Sequence, residues 1–150
     1  MADIVDSATR SRMMSGIRGR NTKPEIAVRK ALHRRGFRYA LHGNHVPGKP
    51  DMVFPSRNAV IFVHGCFWHG HDCPLFRMPE TRREFWQTKI ARNQERDKQV
   101  RSQISEKGWR QLVIWECAIR GKGEKGLEAV AERAAIWLRS SKNNGEIREN

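Results

Sequence analysis

The spacing of apolar and polar residues near the start of the chain predicts an amphipathic helix. Val28 and Leu32 are four residues apart, which places their side chains on one helical face. Pro24 suits the first turn of a helix, where a missing N–H costs nothing, and Gly36 suits its end. The pattern therefore predicts a helix over residues 23–35.

Three short apolar segments after this helix have the composition of β-strands. FRYAL alternates between apolar and polar residues, and the segments DMVF and AVIFVH lie on either side of a turn, PSRN. AVIFVH is almost entirely apolar, as expected for a strand that is covered on both faces. The next residues, 65–80, have no periodicity. A segment of this length inside a small domain is usually functional, or is held in place by something other than regular structure.

The second half of the chain repeats the alternation of helix and strand. Thr81 and Glu84 have the spacing of a capping box, and they predict a long helix that ends near Lys107. The segment WRQLVIWEC predicts a further strand, and GEKGLEAVAERAAIWLR predicts a final helix. This order of elements predicts an α/β fold in which helices flank one mixed central sheet.

The elements fit one domain, since 150 residues can bury a single hydrophobic core. Residues 1–20 are polar and basic, and they predict a helix or arm that contacts a partner. We expect the folded domain to span residues 21–140. Residues 141–150 are polar and predict a frayed, disordered tail.

The charge balance points to a polyanionic partner. Lys and Arg number 29 against 16 Asp and Glu, which gives a formal net charge of +13. Such an excess is typical of proteins that bind nucleic acid, because the phosphate backbone is a dense array of negative charge. The sequence contains no apolar run near the ~18 residues of a membrane span and no signal-peptide core at its start. We therefore expect a cytoplasmic protein with reduced cysteines.

The segment HGCFWHGHDC, residues 64–73, concentrates metal-binding side chains. Zinc takes Cys and His ligands in tetrahedral structural sites, and such a site needs four ligands. The candidate ligands, which include all three cysteines of the chain, are Cys66, His71, Cys73 and Cys117. They predict a Cys3His zinc site that holds the aperiodic segment to the sheet. His69 or His64 could take the place of His71 as the histidine ligand.

A candidate catalytic element precedes these cysteines. Pro50 and Asp51 open one strand, and a second apolar strand follows and ends in His64. This is the outline of the PD-(D/E)xK nuclease core, in which a carboxylate at a strand start and an acidic-x-basic element on the next strand hold a divalent cation. Here the second element is Phe62-Val63-His64, so the second acid is absent and histidine replaces the usual lysine. The Pro-Asp pair alone is weak support, since it occurs at many turns.

Several longer segments carry a resemblance to one family. They are TRSRMMSGIRGRNTKPE, PGKPDMVF, VIFVHGCFWHGHDC, TRREFWQTKIARNQERD and GWRQLVIWEC. With these segments the chain resembles the very short patch repair (Vsr) endonuclease family over residues 6–139. The resemblance implies a divergent PD-(D/E)xK restriction-endonuclease-like fold with a structural zinc. It also implies a Mg²⁺-dependent enzyme that nicks DNA 5′ to the T of T:G mismatches left by deamination of 5-methylcytosine.

The resemblance implies roles for residues around the Pro-Asp pair. Asp51 would coordinate Mg²⁺ beside the backbone carbonyl of Val63, at a position where the family has threonine. His69 would activate the attacking water while Glu25 holds its ring, and His64 would contact the scissile phosphate. The catalytic role of Glu25 depends wholly on the resemblance, because an acid in a first helical turn ordinarily only favours the helix dipole.

The resemblance also implies zinc ligands and DNA contacts. The zinc ligands would be the same Cys3His set that the residue types predict. Aromatic side chains would insert beside the mismatch, where unstacking a base step costs least. The implied DNA-contacting residues are Met14 in the arm, Phe67 and Trp68 in the cysteine-rich segment, and Trp86, Lys89 and Asn93 on the long helix.

The implied substrate is double-stranded DNA with a T:G mismatch, and the mismatch-repair proteins MutL and MutS are implied partners. The implied place of action is the nucleoid in the bacterial cytoplasm. We expect a monomer, because the sequence has no heptad pattern or exposed apolar face. Two alternatives remain: an endonuclease of the same fold with another DNA substrate, and a zinc-stabilised DNA-binding module without catalysis. The presence of Asp51, His64, His69 and Glu25 together argues against the second.

Overall fold

One mixed five-stranded sheet forms the centre of the protein, of which the computed structural model describes residues 22–43 and 45–149. The sheet has the strand order β1-β2-β3-β4-β5. The strands are β1 (Ala40–Leu41), β2 (Met52–Phe54), β3 (Ala59–His64), β4 (Arg110–Trp115) and β5 (Asn144–Ile147). The α-helices in the described residues are α1 (Lys23–Arg34), α2 (Arg83–Glu106) and α3 (Gly123–Arg139). The predicted mixed α/β fold is confirmed.

The strand pairing changes direction at β3. β1 pairs with β2 and β2 pairs with β3 in antiparallel fashion, whereas β3, β4 and β5 run parallel. The last pair between β2 and β3 joins Met52 and Ile61, while β3 continues beside β4 as far as His64 opposite Trp115. The end of β3 therefore projects past β2, and its last residues border an open space.

The central strands of the sheet are buried on both faces, because helices cover each face. Alternate residues of β3 point to opposite sides: Ile61 packs in the core beneath α1 and α3, and Val60 packs in the core that includes Ile104 of α2. β4 divides in the same way. This arrangement explains why β3 and β4 are nearly continuous apolar runs rather than alternating ones.

The helix boundaries agree closely with the sequence pattern, but the start of α2 is not capped as predicted. α2 begins at Arg83, but the predicted capping box is not formed: its N-cap is Arg82, in a left-handed conformation at φ 55°, and no side chain caps the helix. Thr81 precedes the N-cap by one residue, which places Glu84 at the second helical position rather than the third. The reciprocal capping geometry requires the third position.

The C-terminal residues differ from the predicted frayed tail. Residues 144–147 form β5, and Ile147 is buried against the sheet. Gly145 allows this close approach, since a Cβ there would lie 2.9 Å from side-chain atoms of Leu112 and Trp137. A four-residue strand with a single large apolar side chain has too short a pattern to be recognised. The predicted arm, residues 1–20, lies outside the described residues.

The segment between β3 and α2 contains turns and bends but no helix or strand, as predicted. Within the described residues, no helix combines the length and the apolarity that crossing a bilayer would require.

Candidate active site and metal centre

A cleft of about 950 Å³ opens where β3 ends. Asp51, Val63, His64 and His69 contribute to its lining from the sheet side. On the opposite side of the cleft, α2 contributes side chains that are four residues apart and therefore form a stripe along one face of the helix. This stripe consists of Lys89, Asn93, Asp97 and Arg101. Most residues in the middle of α2 are polar, and the structure shows which of them face the cleft.

Asp51 is held at the end of the β2–β3 ladder. Its Oδ2 accepts a hydrogen bond of 2.6 Å from the backbone N–H of Val63. Burial, and then the charge of the neighbouring Glu25, raise the pKa of Asp51 to about 7. Two buried carboxyl groups in contact repel when both are ionised, and a cation between them would relieve that repulsion. Asp51 and Glu25 thus supply the oxygen donors that Mg²⁺ prefers.

Glu25 is almost fully buried, and two neighbouring side chains contact one of its carboxylate oxygens. Its Oε1 lies 2.8 Å from His42 Nε2 and also accepts a hydrogen bond from Arg29. Burial alone would raise the pKa of Glu25, but the hydrogen bonds from His42 and Arg29 outweigh it and lower that pKa. Glu25, His42 and Asp51 each offer a ligand atom, and these three atoms lie within 4.8 Å of one another.

The ring of His69 has a carboxylate partner, but it is not the predicted one. His69 Nδ1 lies 2.6 Å from Asp97 Oδ2, whereas Glu25 contacts His42 and Arg29. The expected pairing of Glu25 with the His69 ring is therefore wrong. The physical reason is position: Glu25 lies on α1 beside Asp51, while Asp97 lies on α2 within hydrogen-bonding distance of His69.

His64 and His69 stack face to face. Their ring centroids are 3.8 Å apart, and the ring planes differ by only 3°. Burial, followed by the proximity of His69 and Arg101, lowers the pKa of His64 well below its ordinary value. Two parallel imidazolium rings at this distance would repel, so the proximity of His69 opposes protonation of His64.

The four predicted zinc ligands converge. One ligand atom from each of Cys66, His71, Cys73 and Cys117 lies within 4.8 Å of the other three. His71 Nδ1 is 3.6 Å from Cys117 Sγ, and the His71 ring stacks on Trp115 at 3.8 Å. The alternatives, His64 and His69, stack on each other instead. The geometry thus selects His71 as the histidine of this cluster.

The chemistry of the cluster favours a bound cation. Burial raises the pKa of the Cys66 thiol, and burial together with Glu149 raises the pKa of Cys117 to about 11. Buried thiols with raised pKa values become thiolates only beside a strong positive charge. Three thiols and one imidazole at this separation are the donor set that zinc takes in closed sites.

Residues after β5 contact the Cys3His cluster. Arg148 donates hydrogen bonds of 2.8 Å to the side chain and the backbone carbonyl of Asp72, which lies between two of the predicted ligands. Glu149 Oε2 lies 2.7 Å from Cys117 Sγ. The C-terminal end of the chain therefore covers the cysteine-rich segment, a contact that the sequence pattern did not reveal.

The predicted wedge aromatics form one cluster beside the cleft. The ring centroids of Phe67, Trp68 and Trp86 lie 5.2–5.6 Å apart in all three pairings, and each residue is partly exposed. Phe85 joins the cluster and is 44% exposed. These rings pack on each other outside the two main hydrophobic cores, and they form an aromatic patch on the protein surface.

Helix α2 holds the segment that carries these aromatics. Asn93 Nδ2 donates to the backbone carbonyl of Trp68 at 2.8 Å, and Gln94 Nε2 donates to that of Gly70 at 3.2 Å. Gly70 has φ 58°, and a Cβ there would lie 2.7 Å from Ile90, so glycine is needed for this approach. Asn93 thus has a structural contact in addition to its predicted role at the bases. Met14 lies outside the described residues.

Sequence reasoning missed two residues: Asp97, which lines the cleft, and His42, which contacts Glu25. Asp97 is one acid in a strongly charged helix, and its spacing from Asn93 is the only pattern that could have suggested it. His42 carries no motif, and it approaches Glu25 through the fold rather than through sequence proximity. The catalytic roles of Asp51, His64 and His69 remain predictions.

Phosphodiester cleavage requires carboxylates that can hold a cation, a group that accepts a proton from water, and positive charge for the phosphates. The fold and the cleft bring these together and define a nuclease. The chain belongs to the DNA mismatch endonuclease Vsr family, whose family model matches residues 2–75.

Relatives agree along most of the chain. The chain is 45% identical over 138 residues to DNA mismatch endonuclease Vsr of Escherichia coli (strain K12), covering 92% of this chain and 88% of that protein. It is 44% identical over 123 residues to the type II nicking enzyme V.XorIIP of Xanthomonas oryzae pv. oryzae, covering 82% and 90%. A third relative, the type II nicking enzyme V.NmeAIP of Neisseria meningitidis, is 40% identical over 122 residues, covering 81% and 87%.

Proposed function

We propose that this protein is a Mg²⁺-dependent, strand-specific endonuclease that nicks double-stranded DNA 5′ to the T of a T:G mismatch, leaves a 5′-phosphate and so starts very short patch repair. The observation that carries the proposal is the convergence of Asp51, Val63, His64 and His69 in one cleft. The relatives named as a mismatch endonuclease and as nicking enzymes support the substrate and the single-strand cut.

The fold supports a divergent form of the PD-(D/E)xK core. Asp51 precedes β2 and His64 ends β3, as in that core. Glu25 of α1, which lies against Asp51, would supply the acid that Phe62-Val63-His64 lacks. In this proposal the second acid comes from a neighbouring helix and not from the strand.

The donors around Asp51 fit Mg²⁺. The carboxylates of Asp51 and Glu25 and the backbone carbonyl of Val63 would hold the ion. When bound, Mg²⁺ neutralises charge on the phosphate and makes water more acidic. The resemblance implies threonine at position 63, and valine would be compatible because the ion would be bound there by the backbone carbonyl.

His69 is the residue that would take a proton from the attacking water. With Nδ1–H donated to Asp97, the neutral ring presents Nε2 as the acceptor. Its stacked neighbour His64 stays neutral, because burial lowers its pKa, and it would donate a hydrogen bond to the scissile phosphate.

The Cys3His cluster would hold a structural zinc. Such a site, closed by four protein ligands, stabilises a segment that has no helix or strand of its own. That segment carries Phe67, Trp68 and His69, so the zinc would fix both the wedge aromatics and the general base relative to the sheet. Trp86, Lys89 and Asn93 would complete the DNA surface from α2, with Met14 acting from the arm.

We further propose that the protein acts as a monomer and that MutL and MutS are partners, in line with its family. Light scattering with and without each purified partner would test this.

The proposed activity is tested on end-labelled duplexes that differ in one base pair, T:G or T:A, with Mg²⁺ and with EDTA as the control. The expected result is one nick, 5′ to the mismatched T, in the T:G duplex with Mg²⁺. Equal nicking of both duplexes would make the protein a broader endonuclease. Tight binding of both duplexes without any nick would identify a non-catalytic module and overturn the proposal.

A further inference from the structure

We infer that His42 is a positioning residue of the active site, which holds the Glu25 carboxylate in place to share a cation with Asp51. The inference rests on the proposed function, because it assigns a use to the carboxylate pair. His42 itself need not contact the DNA or the reacting atoms.

His42 contacts both members of the carboxylate pair. Its backbone N–H donates to the backbone carbonyl of Asp51 at 3.2 Å, and its side-chain Nε2 lies 2.8 Å from Glu25 Oε1. One residue thus connects the start of β2 with α1. The separation between the two carboxyl groups, which sets how well they can share an ion, depends on this connection.

The backbone of His42 is shaped for this contact. Its φ is 47°, in the left-handed region that residues other than glycine seldom adopt. This conformation ends β1 and turns the chain so that the side chain returns toward α1. In this conformation only 14% of the His42 side chain is exposed, and its ring contacts Glu25.

Arg29 acts with His42 on the same oxygen. Its guanidinium donates to Glu25 Oε1 and lies 3.2 Å from His42 Nε2. Arg29 reaches this oxygen from α1, the helix that also carries Glu25, whereas His42 reaches it from the end of β1. His42 is therefore the partner that ties Glu25 to the segment that carries Asp51.

The test compares His42→Ala and His42→Gln with His45→Ala, an exposed histidine in the same segment. The first measurement is Mn²⁺ binding to the DNA-free protein by calorimetry, and the second is the Mg²⁺ concentration for half-maximal nicking. We expect His42→Ala to weaken Mn²⁺ binding by about 10- to 100-fold, the usual effect of removing a residue that orients a metal ligand. The Mg²⁺ requirement should rise in parallel. His42→Gln should restore most of the binding, because its amide N–H can donate to the same oxygen.

The thermal midpoint separates positioning from a purely structural role. Positioning predicts near-normal midpoints for all three variants and normal cation binding for His45→Ala. Unchanged Mn²⁺ binding in His42→Ala would overturn the inference, and so would equal weakening in the alanine and glutamine variants with a lowered midpoint. Since the Mn²⁺ titration needs no DNA, the inference can fail or hold independently of whether wild-type protein nicks a T:G duplex.

Discussion

His69 and Asp97 form a hydrogen-bonded pair across the cleft, with Nδ1 of the imidazole 2.6 Å from Oδ2 of the carboxylate. The two residues lie on different elements, the cysteine-rich segment and α2. The carboxylate therefore fixes both the orientation of the ring and the tautomer in which Nε2 is unprotonated.

Replacing Asp97 by asparagine should impair catalysis without impairing binding. The amide N–H can donate to Nδ1 of His69, which would favour the tautomer with its proton on Nε2. We expect single-turnover nicking of a T:G duplex to slow by about 10- to 100-fold. Glu95→Gln, an exposed charge change on the same helix, serves as the control and should nick normally. A normal rate in Asp97→Asn would remove Asp97 from the mechanism.

Asp51→Ala should bind mismatched DNA and fail to nick it. The carboxylate serves to hold the cation, and its loss also removes a negative charge near the phosphates, so affinity should be equal or tighter. The nicking rate should fall by more than about 100-fold, because several kcal/mol of charge stabilisation in the transition state is lost. Gel-shift and nicking assays on one preparation with a native circular dichroism spectrum would check this. Full activity in that preparation would exclude Asp51 from the site.

The cation requirement should depend on pH. The pKa of Asp51, raised to about 7 by burial and by Glu25, means that a proton occupies this carboxyl group below that pH when no cation is bound. A proton and Mg²⁺ then compete, so the Mg²⁺ concentration for half-maximal nicking should rise as the pH falls from about 8 to about 6. Titrations of Mg²⁺ at several pH values measure this shift. A requirement that is constant over the range would contradict it.

Trp68→Ala should reduce the preference for T:G over T:A duplexes more than it reduces general affinity. Stacking of an aromatic ring on a base is worth about 1–3 kcal/mol, which corresponds to roughly a tenfold loss of preference. The dependence of affinity on salt should stay the same, because no charge is removed. Binding titrations of both duplexes at several salt concentrations measure the two effects separately. An unchanged preference in a folded variant would assign discrimination to Phe67 and Trp86 instead.

The purified protein should contain one zinc per chain, independent of Mg²⁺. Cys117→Ala should lose the metal and unfold at much lower temperature, since structural zinc contributes on the order of 10 kcal/mol to a small fold. Elemental analysis and thermal unfolding, each with and without a chelator, would check both statements. Protein prepared without chelator that contained no zinc would refute the ligand assignment.

Regular elements were predictable because their patterns are local. β3 and α3 begin and end at the predicted residues, since a continuous apolar run and a helical repeat each define their own limits. The Cys3His set was also predictable, because cysteines are few and zinc restricts its ligands by type. β5 was not predicted, because its residues have no clear strand pattern of their own. The strand forms by pairing with the edge of β4.

The contacts inside the cleft were less predictable, because they join residues that are distant in sequence. Nothing in the sequence links His69 to Asp97 rather than to Glu25, and family resemblance suggested the wrong partner. His42 looked like an ordinary surface histidine. Hydrogen-bond partners of buried carboxylates are selected by the packing of α1, α2 and β2, which no local pattern encodes.

The position of β5 has a consequence for the edge of the sheet. β4 pairs with β3 on one side, and β5 covers its other side. Arg148 and Glu149, which follow β5, contact Asp72 and Cys117. A chain cut before residue 144 would lose these contacts and expose β4 as a template for pairing with other chains. Such a product would be prone to aggregate even though it keeps the residues that line the cleft.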